Sequence, residues 1–301
     1  MARRLLTDRS NSRLLRAHYR AVLGKISSGG LRIATVPVKL IRMEHSIYEF
    51  PNIFRRVHME EPREIAQEVR FLRRIWREHL NRSVNRILDL ACGNSPHGQL
   101  LARAGFQVVG IDRSKTMIAA GRRESGGLES IRFYRRPIER FRIPERRFDA
   151  AFFMSETFPV MTANRDIVSH LRSVGLLLKR GALYCIDVDR QDGIRATRAH
   201  KLWDRSLRVG DASVEVRGVH RPMPWYSGVY SNFEISCSIR FPGERVNTRD
   251  VVPIRYTLPC TMELLAKASR MFEMIATYTD LSFTKPLSRC HRRWWGVLRR
   301  V

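Results

Sequence analysis

Between Arg86 and Asp189, short apolar runs alternate with longer segments in which apolar residues recur every three or four positions. The apolar runs predict five strands, at 86–91, 107–111, 130–134, 148–153 and 182–188. The segments between them predict helices at 96–104, 114–124 and 164–179. Strands that alternate with helices are typical of a parallel sheet with helices on both faces. We therefore expect an α/β fold with a doubly wound sheet.

The pattern changes on both sides of this region. Upstream, the segment EPREIAQEVRFLRRIWREHL predicts an amphipathic helix with one apolar face, formed by Ile65, Val69, Leu72, Ile75 and Trp76. Downstream, polar and apolar residues alternate in ASVEVRGVH, GVYSNFEISCSIRF and RDVVPIRYTL, which predicts antiparallel strands. The segment TMELLAKASRMF then predicts a last helix, and FEMIATYTD and HRRWWGVLRR predict two closing strands.

The antiparallel region, residues 195–258, is an insertion after the fifth strand. Because alternating strands need a cover on one face, we expect this insertion to act as a lid over a substrate or as a dimerisation surface. The second role would make the protein a homodimer. Two aromatic residues in the insertion, Trp225 and Tyr226, either line a substrate pocket or pack the added sheet.

Composition restricts the class of protein. With 301 residues, of which 44% are hydrophobic, the chain can bury a large core. It has five cysteines but no C-x-x-C pair, so neither a disulfide framework nor a zinc ribbon is predicted, and no metal site is expected. No run of 18 apolar residues is present to form a membrane-spanning helix. The cysteine pattern is most simply interpreted as that of a protein in a reducing compartment, and we expect the protein in the cytoplasm.

The formal net charge of +26 leaves two interpretations open. It can mark a surface for nucleic acid or for an anionic membrane, or it can reflect an arginine-rich composition without any such partner. Residues 1–42 hold ten basic residues and one acidic residue, and predict a basic helical N-terminal extension. A segment of this composition also resembles an organelle transit peptide, which would place the protein in an organelle matrix instead.

The turn after the first strand, in DLACGNSPHG, is the expected ligand site, since open α/β sheets bind ligands at the carboxyl ends of their strands. Gly93 permits a tight turn, and Asp112 ends the second strand, where an acid binds ribose hydroxyls. A dinucleotide is disfavoured because Ser95 replaces the second glycine of its motif, and no lysine follows to form a phosphate loop. Asp89 would repel phosphate but attract an ammonium group. These residues therefore favour a nucleoside with a cationic tail, as in S-adenosylmethionine.

With these residues in view, the stretch ILDLACGNSPHGQLLARAGFQVVGIDRSKTMIAAGRR resembles the first two motifs of class I S-adenosylmethionine-dependent methyltransferases. The later stretch RRFDAAFFMSETFPVMTANRDIVSHLRSVGLLLKRGALYCIDV resembles their fourth strand, the following helix and their fifth strand. The resemblance implies a Rossmann-like, seven-stranded sheet whose last strand is antiparallel. It also implies a methyltransferase domain over residues 43–301.

The resemblance assigns roles position by position. It implies that the backbone of Ala91, Gly93 and Ser95 holds the methionine part of the cofactor, and that Asp89 reaches its amino group. It places Asp112 on the ribose. It further places the residues beside the adenine or facing the ligand, namely Arg113, Met117, Arg136 and Met154. Two of these positions depart from the family, because Ser95 stands in place of glycine and Arg136 in place of an acid or amide that reads the adenine.

Candidate catalytic residues lie near the strand ends. Glu156 either orients or deprotonates a substrate amine, or pairs with an arginine. Tyr48 either closes over the methyl group or is a packed aromatic residue, and His58 is a base or a structural histidine. The motif N-P-P-[YF], which marks methylation of a base or of glutamine, is absent after the fourth strand. The resemblance therefore favours a small-molecule N- or O-methyltransferase, with an RNA methyltransferase or a non-catalytic nucleic-acid-binding relative as the alternative.

Overall fold

The computed structural model describes residues 45–58, 62–155, 157–189, 200–222, 230–279, 281–284 and 293–301. The predicted N-terminal extension, residues 1–42, lies outside the described residues, as do Glu156, Trp225 and Tyr226. Throughout the described ranges, no helix is both long enough and apolar enough to cross a membrane.

The predicted elements follow one another in the predicted order, and two further elements, a helix at Pro51–His58 and a strand at His200–Val209, were not predicted. The helices are α1 (Pro51–His58), α2 (Pro62–His79), α3 (Pro96–Arg103), α4 (Lys115–Glu124), α5 (Asn164–Leu177) and α6 (Pro259–Ser269). The strands are β1 (Arg86–Leu90), β2 (Gln107–Asp112), β3 (Ile131–Arg135), β4 (Phe148–Phe153), β5 (Leu178–Asp189), β6 (His200–Val209), β7 (Ala212–Pro222), β8 (Tyr230–Phe241), β9 (Glu244–Arg255), β10 (Phe272–Thr279) and β11 (Arg293–Arg300). Short 3-10 helices lie at Ile47–Glu49 and Phe158–Val160.

Seven strands form the central sheet, in the order β10-β11-β5-β4-β1-β2-β3. The pairs among β1 to β5 are parallel, whereas β11 is antiparallel to both of its neighbours, β5 and β10. The strand order reverses between β1 and β4, which makes the carboxyl ends of these strands the expected ligand site. The predicted fold class, a doubly wound seven-stranded sheet with one antiparallel strand, is confirmed.

The sheet is apolar on both faces because helices cover both of them. Leu88 and Leu90 of β1 pack on the face that α5 and α6 cover, together with Leu171 of α5. Ile87 packs on the opposite face, against Leu72 and other residues of α2. The central strand is therefore buried from Ile87 to Leu90, which explains why it reads as a continuous apolar run around one acid.

The fifth strand begins earlier than the sequence predicts. The pattern predicts a helix to residue 179 and a strand from 182, but α5 ends at Leu177 and β5 begins at Leu178. The register of β4 against β5 shifts from Phe148–Leu178 to Ala150–Leu183. Gly181 lies within this irregularity with a φ of 71°, a conformation that favours glycine. Gly181 therefore permits the irregular pairing at the start of β5.

The insertion after β5 forms a second, antiparallel sheet in the order β6-β7-β8-β9. One face of this sheet contributes Val214, Val216 and Ile239 to an apolar cluster. The opposing side of the cluster comes from the segment before α2, through Ile53 and Val57 of α1 and the buried Ile47. The segment at 45–58 and the four-stranded sheet thus pack together as one cover.

Candidate active site

A narrow cleft of about 150 Å³ opens at the carboxyl ends of β1, β2 and β4. Its floor comes from β1, the loop after it and Asp112 at the end of β2. Its roof comes from the cover, through Tyr48, Phe54 and His58 on one side and Phe233, Val252 and Ile254 of the inserted sheet on the other. The cleft therefore lies where the reversed strand order predicts a ligand site, and the insertion borders it.

The loop after β1 owes its shape to three residues with positive φ. These are Ala91 at 49°, Gly93 at 55° and Ser95 at 58°. Only glycine adopts this conformation without cost, and other residues pay roughly 1–2 kcal/mol each. Ala91 and Ser95 therefore retain a backbone shape that suits glycine, and their strain is typical of functional sites.

Asp89 is a buried carboxylate at the end of β1. Its Oδ2 accepts a hydrogen bond of 2.6 Å from the hydroxyl of Ser95. Burial raises the pKa of Asp89 to about 7, although the bond from Ser95 acts in the opposite direction. A carboxylate whose charge is destabilised in this way favours a cationic ligand, because a positive group would restore its ionised form.

The hydroxyl of Ser95 also explains why residue 98, about one turn further along the chain, is glycine. A Cβ atom on Gly98 would stand 2.1 Å from Ser95 Oγ and 3.0 Å from Asp89 Oδ2. Gly98 therefore provides the space that the hydroxyl of Ser95 occupies beside Asp89.

We expect Gly98→Ala to destabilise the protein by about 1–3 kcal/mol, the usual cost of overpacking a filled site. In the background of Ser95→Gly, which removes the hydroxyl, the same substitution should cost less than half as much. Urea unfolding of the two single variants and the double variant measures this coupling. Equal costs in both backgrounds would show that Ser95 does not determine the need for Gly98.

Asp112 joins the two loops that form the cleft. Its Oδ2 accepts a hydrogen bond of 2.8 Å from the backbone N–H of Gly93. Its Oδ1 accepts one of 2.7 Å from the N–H of Ser114, the residue that caps α4. Burial raises the pKa of Asp112 above its ordinary value. Each bond uses one lone pair of an oxygen, so both oxygens can still accept hydrogen bonds from a ligand.

A chain of buried ionic groups extends from the cleft. His97, in the first turn of α3, lines the cleft, and its Nε2 lies 2.5 Å from Oε2 of Glu68 on α2. The other oxygen of Glu68 lies 2.6 Å from the guanidinium of Arg293 on β11. That guanidinium also pairs with Asp187 on β5 through two hydrogen bonds. Burial would raise the pKa of Glu68, but His97 and Arg293 outweigh it and lower the pKa to about 2.

Two titratable residues of the cover line the cleft, His58 and Tyr48, and both are neutral at physiological pH. His58 is stacked on Phe54 at 4.2 Å, and its Nδ1 donates to the Phe54 carbonyl oxygen at 3.1 Å. Burial lowers the pKa of His58 to about 4. The pKa of Tyr48 is raised to about 12, by burial of its hydroxyl and by the carboxylates of Asp250 and Asp112.

The inserted sheet holds the segment that carries Tyr48. Asp250 of β9 accepts hydrogen bonds from the Ser46 hydroxyl at 2.7 Å and from the Ile47 N–H at 2.9 Å. These bonds begin the 3-10 helix that contains Tyr48, whose ring lies 4.8 Å from that of Phe54. Tyr48 is 39% exposed, so the insertion places it at the rim of the cleft.

Most of the sequence-predicted cofactor residues line this cleft. They are Asp89, Ala91, Gly93, Asp112, Met117 and Met154, together with the candidate catalytic Tyr48. Ser95 lies directly beneath it, bonded to Asp89. The side chain of Arg113 is exposed. The guanidinium of Arg136 is exposed and donates to the carbonyl oxygens of Arg135 and Arg142, so the structure places it outside the cleft wall.

The aromatic content of the insertion predicts that Phe233 lines a pocket wall or a dimer seam, and it lines the cleft, but sequence reasoning missed His97, Glu68 and the apolar residues Val252 and Ile254. A signal for Glu68 exists, because it lies three residues after Ile65 and four before Leu72, on the apolar stripe of α2. A charged residue on a buried stripe is rare unless it has a partner. Val252 and Ile254 had no such signal, since alternation along β9 predicts one covered face but not what covers it.

The charge of the cleft is opposite to that of the chain. Although the sequence has 55 Lys and Arg residues against 29 Asp and Glu, no Lys or Arg lines the cleft among the residues that the structure describes. Two carboxylates line it instead, those of Asp89 and Asp112. This set of groups fits a cationic nucleoside and does not fit a phosphate-bearing ligand.

Comparison with known proteins agrees with this geometry. Residues 87–181 match the family described as "Methyltransferase domain". The chain is 28% identical over 113 residues to YqeM of Bacillus subtilis (strain 168), a protein assigned as a methyltransferase. That match covers 38% of this chain and 46% of YqeM, so the chain spans about half the length of this curated relative.

Solved structures share the fold at low sequence identity. An S-adenosylmethionine-dependent methyltransferase from Clostridium acetobutylicum ATCC 824 has a TM-score of 0.69 and 16% identity, with 82% of this chain and 98% of that chain covered. The sugar N-methyltransferase KedS8 from Streptoalloteichus sp ATCC 53650 has a TM-score of 0.66 and 19% identity, with 91% and 100% covered.

The sheet order and the cleft at its reversal point have the arrangement of the class I methyltransferase fold. With the matched domain at residues 87–181, the chain is similar in motifs and fold to the class I S-adenosylmethionine-dependent methyltransferases. The resemblance predicted from the motifs around Asp89 and Asp112 is thereby confirmed.

Proposed function

We propose that this protein transfers a methyl group from S-adenosylmethionine to a nitrogen or oxygen atom of a small molecule. The observation that carries the proposal is the cleft itself, which has two carboxylates and no basic side chain among its described lining residues in a chain of net charge +26. When bound, S-adenosylmethionine supplies the methyl group on a positively charged sulfur.

The floor of the cleft suits the two ends of that cofactor. Asp112 would accept hydrogen bonds from the ribose hydroxyls, and the buried carboxylate of Asp89 would pair with the ammonium group. The tight turn at Ala91 and Gly93 brings the loop backbone to the cleft, and Gly93 has no side chain to hinder a ligand. Met117 contributes an apolar surface for the base.

The cover suits a small acceptor. Phe54, Phe233, Val252 and Ile254 form an apolar roof that keeps water from the reacting atoms, and methyl transfer needs mainly such a positioned, dry site. Tyr48 keeps its proton at neutral pH, so it can donate a hydrogen bond but cannot act as a base. Burial keeps His58 neutral, so its ring places no positive charge beside an amine acceptor.

A nucleic acid is less well supported as the acceptor. A narrow cleft whose described lining residues include no Lys or Arg offers nothing to a phosphate backbone. One of the fold relatives is a sugar N-methyltransferase, so amines are the first acceptors to test.

The test has two parts. Calorimetry measures S-adenosylmethionine binding by the full chain, and a radiolabelled-methyl assay then compares pools of small amines, small alcohols and phenols, and RNA. We expect cofactor binding and incorporation into a small-molecule pool. Cofactor binding with incorporation into RNA alone would contradict the proposed acceptor class, and absence of binding would contradict the proposed function.

The pKa of Asp89 predicts how cofactor binding depends on pH. Below about pH 7 the free protein holds Asp89 protonated, and a cationic ligand must displace that proton. Affinity should therefore rise with pH up to about 7, by at most tenfold per pH unit, and then level off. Calorimetry at pH 6 in two buffers of different ionisation enthalpy should detect proton release.

Asp89→Asn is the matched control, because it keeps an oxygen for Ser95 but cannot titrate. This variant should bind the cofactor more weakly and with little dependence on pH. Equal affinities of the parent protein at pH 6 and pH 8 would contradict the role of Asp89.

A further inference from the structure

A second concave surface lies on α2, away from the cleft. We call it the α2 groove. It measures about 700 Å³, and four arginines line it, namely Arg70, Arg73, Arg77 and Arg82. Its apolar lining comes from Trp76, Leu80, Val84 and Phe106.

The α2 groove is separate from the methyltransferase site. Val84 lies just before β1 and Phe106 just before β2, so the groove is at the amino ends of these strands. The cleft is at their carboxyl ends, on the opposite edge of the sheet. The part of a ligand that lies in the groove is therefore remote from the residues that line the cleft.

The charged side chains that line the groove are all positive among the described residues. All four arginines are exposed, and no Asp or Glu lines the groove among the described residues. Arg70 and Arg77 are seven residues apart on one helix, which is about 10 Å along its axis. Such a row of guanidinium groups can contact more than one phosphate, and guanidinium binds phosphate through paired hydrogen bonds.

The groove also offers an aromatic surface. The guanidinium of Arg73 lies over the ring of Phe106, 5.6 Å from its centroid. Next to the groove, Arg70, Arg74 and Arg77 line a second hollow, and the guanidinium of Arg74 lies 4.0 Å above the ring of Phe283. Stacked arginine and aromatic side chains are the surfaces on which unpaired bases stack.

We propose that the α2 groove binds single-stranded nucleic acid, with phosphates on its arginines and a base against the Arg73–Phe106 pair. An anionic membrane is the other ligand of opposite charge, but a membrane-binding surface presents protruding apolar side chains. The exposed large apolar residues of the described chain are Tyr48, Leu176, Val251, Leu258, Leu264 and Val301, and none of them lines the groove. The apolar residues of the groove are instead recessed between arginines.

The test uses fluorescence anisotropy with a labelled 20-nucleotide oligouridylate and the full chain, at several salt concentrations. The groove variant carries Arg70→Gln, Arg73→Gln and Arg77→Gln. The matched control carries Arg208→Gln, Arg217→Gln and Arg245→Gln, three exposed arginines of the inserted sheet, and so loses the same charge. Melting temperatures verify that both variants are folded.

We expect the groove variant to lose affinity on the order of 100-fold at 100 mM salt, since three phosphate contacts are lost. The slope of log affinity against log salt concentration should become shallower by about two for the same reason. The control should stay within about threefold of the parent. If the groove variant does not fold, the double variant Arg70→Gln, Arg77→Gln keeps the Arg73–Phe106 pair and should lose roughly tenfold. Equal losses in groove and control variants, or binding to anionic vesicles without binding to the oligonucleotide, would overturn the proposal.

Discussion

Replacing Asp112 with alanine is expected to abolish measurable binding of S-adenosylmethionine. The carboxylate is already oriented toward the cleft, because the N–H groups of Gly93 and Ser114 each hold one of its oxygens. Two charge-assisted bonds to the ribose would contribute roughly 1.5–3 kcal/mol each. Their loss corresponds to an increase in Kd of roughly 100-fold to 10,000-fold, which calorimetry would record as little or no heat.

The same variant should also lose stability, since the loop at Gly93 loses its contact with β2. Melting temperature separates the two effects: a variant that is folded at the assay temperature but does not bind has lost ligand contacts. Asp211→Ala, at an exposed turn between β6 and β7, is the control and should bind the cofactor like the parent. Unchanged affinity of Asp112→Ala would show that the ribose is not held at this position.

The fold could be predicted because its signals are local. The strands β1, β2, β4 and β5 appear as apolar runs, since both faces of the sheet are covered, whereas β3 at the sheet edge alternates. Each helix between them has one apolar face. The inserted strands alternate because one face packs on the segment at 45–58. The start of β5 could not be predicted, because the irregular pairing at Gly181 depends on contact with β4.

The candidate site likewise has one part that the sequence predicts, its floor, and one part that it does not, its roof. Its floor is formed by two neighbouring loops, so Asp89, Gly93 and Asp112 could be identified from their order and spacing. Its roof depends on contacts between distant segments, such as the bond from Ser46 to Asp250, which no local pattern reports. The positive φ angles of Ala91 and Ser95 likewise became evident only in the structure.

The orientation of Arg136 illustrates a further limit. The resemblance places this residue beside the adenine, but its guanidinium donates to two nearby carbonyl oxygens instead of lining the cleft. A motif fixes the position of the backbone, whereas a long side chain follows whichever acceptors are close to it. Its backbone N–H, which donates to the Asp112 carbonyl oxygen at 2.9 Å, remains at the edge of the site.

The second prediction with a large expected effect concerns the buried polar chain that runs from His97 through Glu68 to Arg293. Replacing Glu68 with alanine is expected to lower the free energy of unfolding by about 3 kcal/mol. Removing one member of a buried ion pair usually costs about 3–5 kcal/mol. The lower end applies here because the Arg293 side chain is 26% exposed and keeps Asp187 as a partner. Melting temperature should fall by roughly 5–10 °C.

A control on the same helix isolates burial as the cause. Glu78 is exposed and pairs only loosely with Arg74, at 3.7 Å. Glu78→Ala should therefore change the free energy of unfolding by less than about 0.5 kcal/mol, as is usual for exposed pairs. Similar losses in the two variants would show that the Glu68 contacts do not hold α2 against β11.

The dependence on pH distinguishes charge from packing. The pKa of Glu68 is about 2 in the folded protein, whereas a glutamate in the unfolded chain titrates near about 4.3. Its ionic contribution is therefore complete above about pH 5 and is lost as the pH falls toward 2. The stability difference between the parent and Glu68→Ala should narrow as the pH falls below about 4. A difference that persists undiminished at pH 3 would mean that the side chain stabilises the protein through packing, and that His97 owes its place in the cleft wall to shape instead of charge.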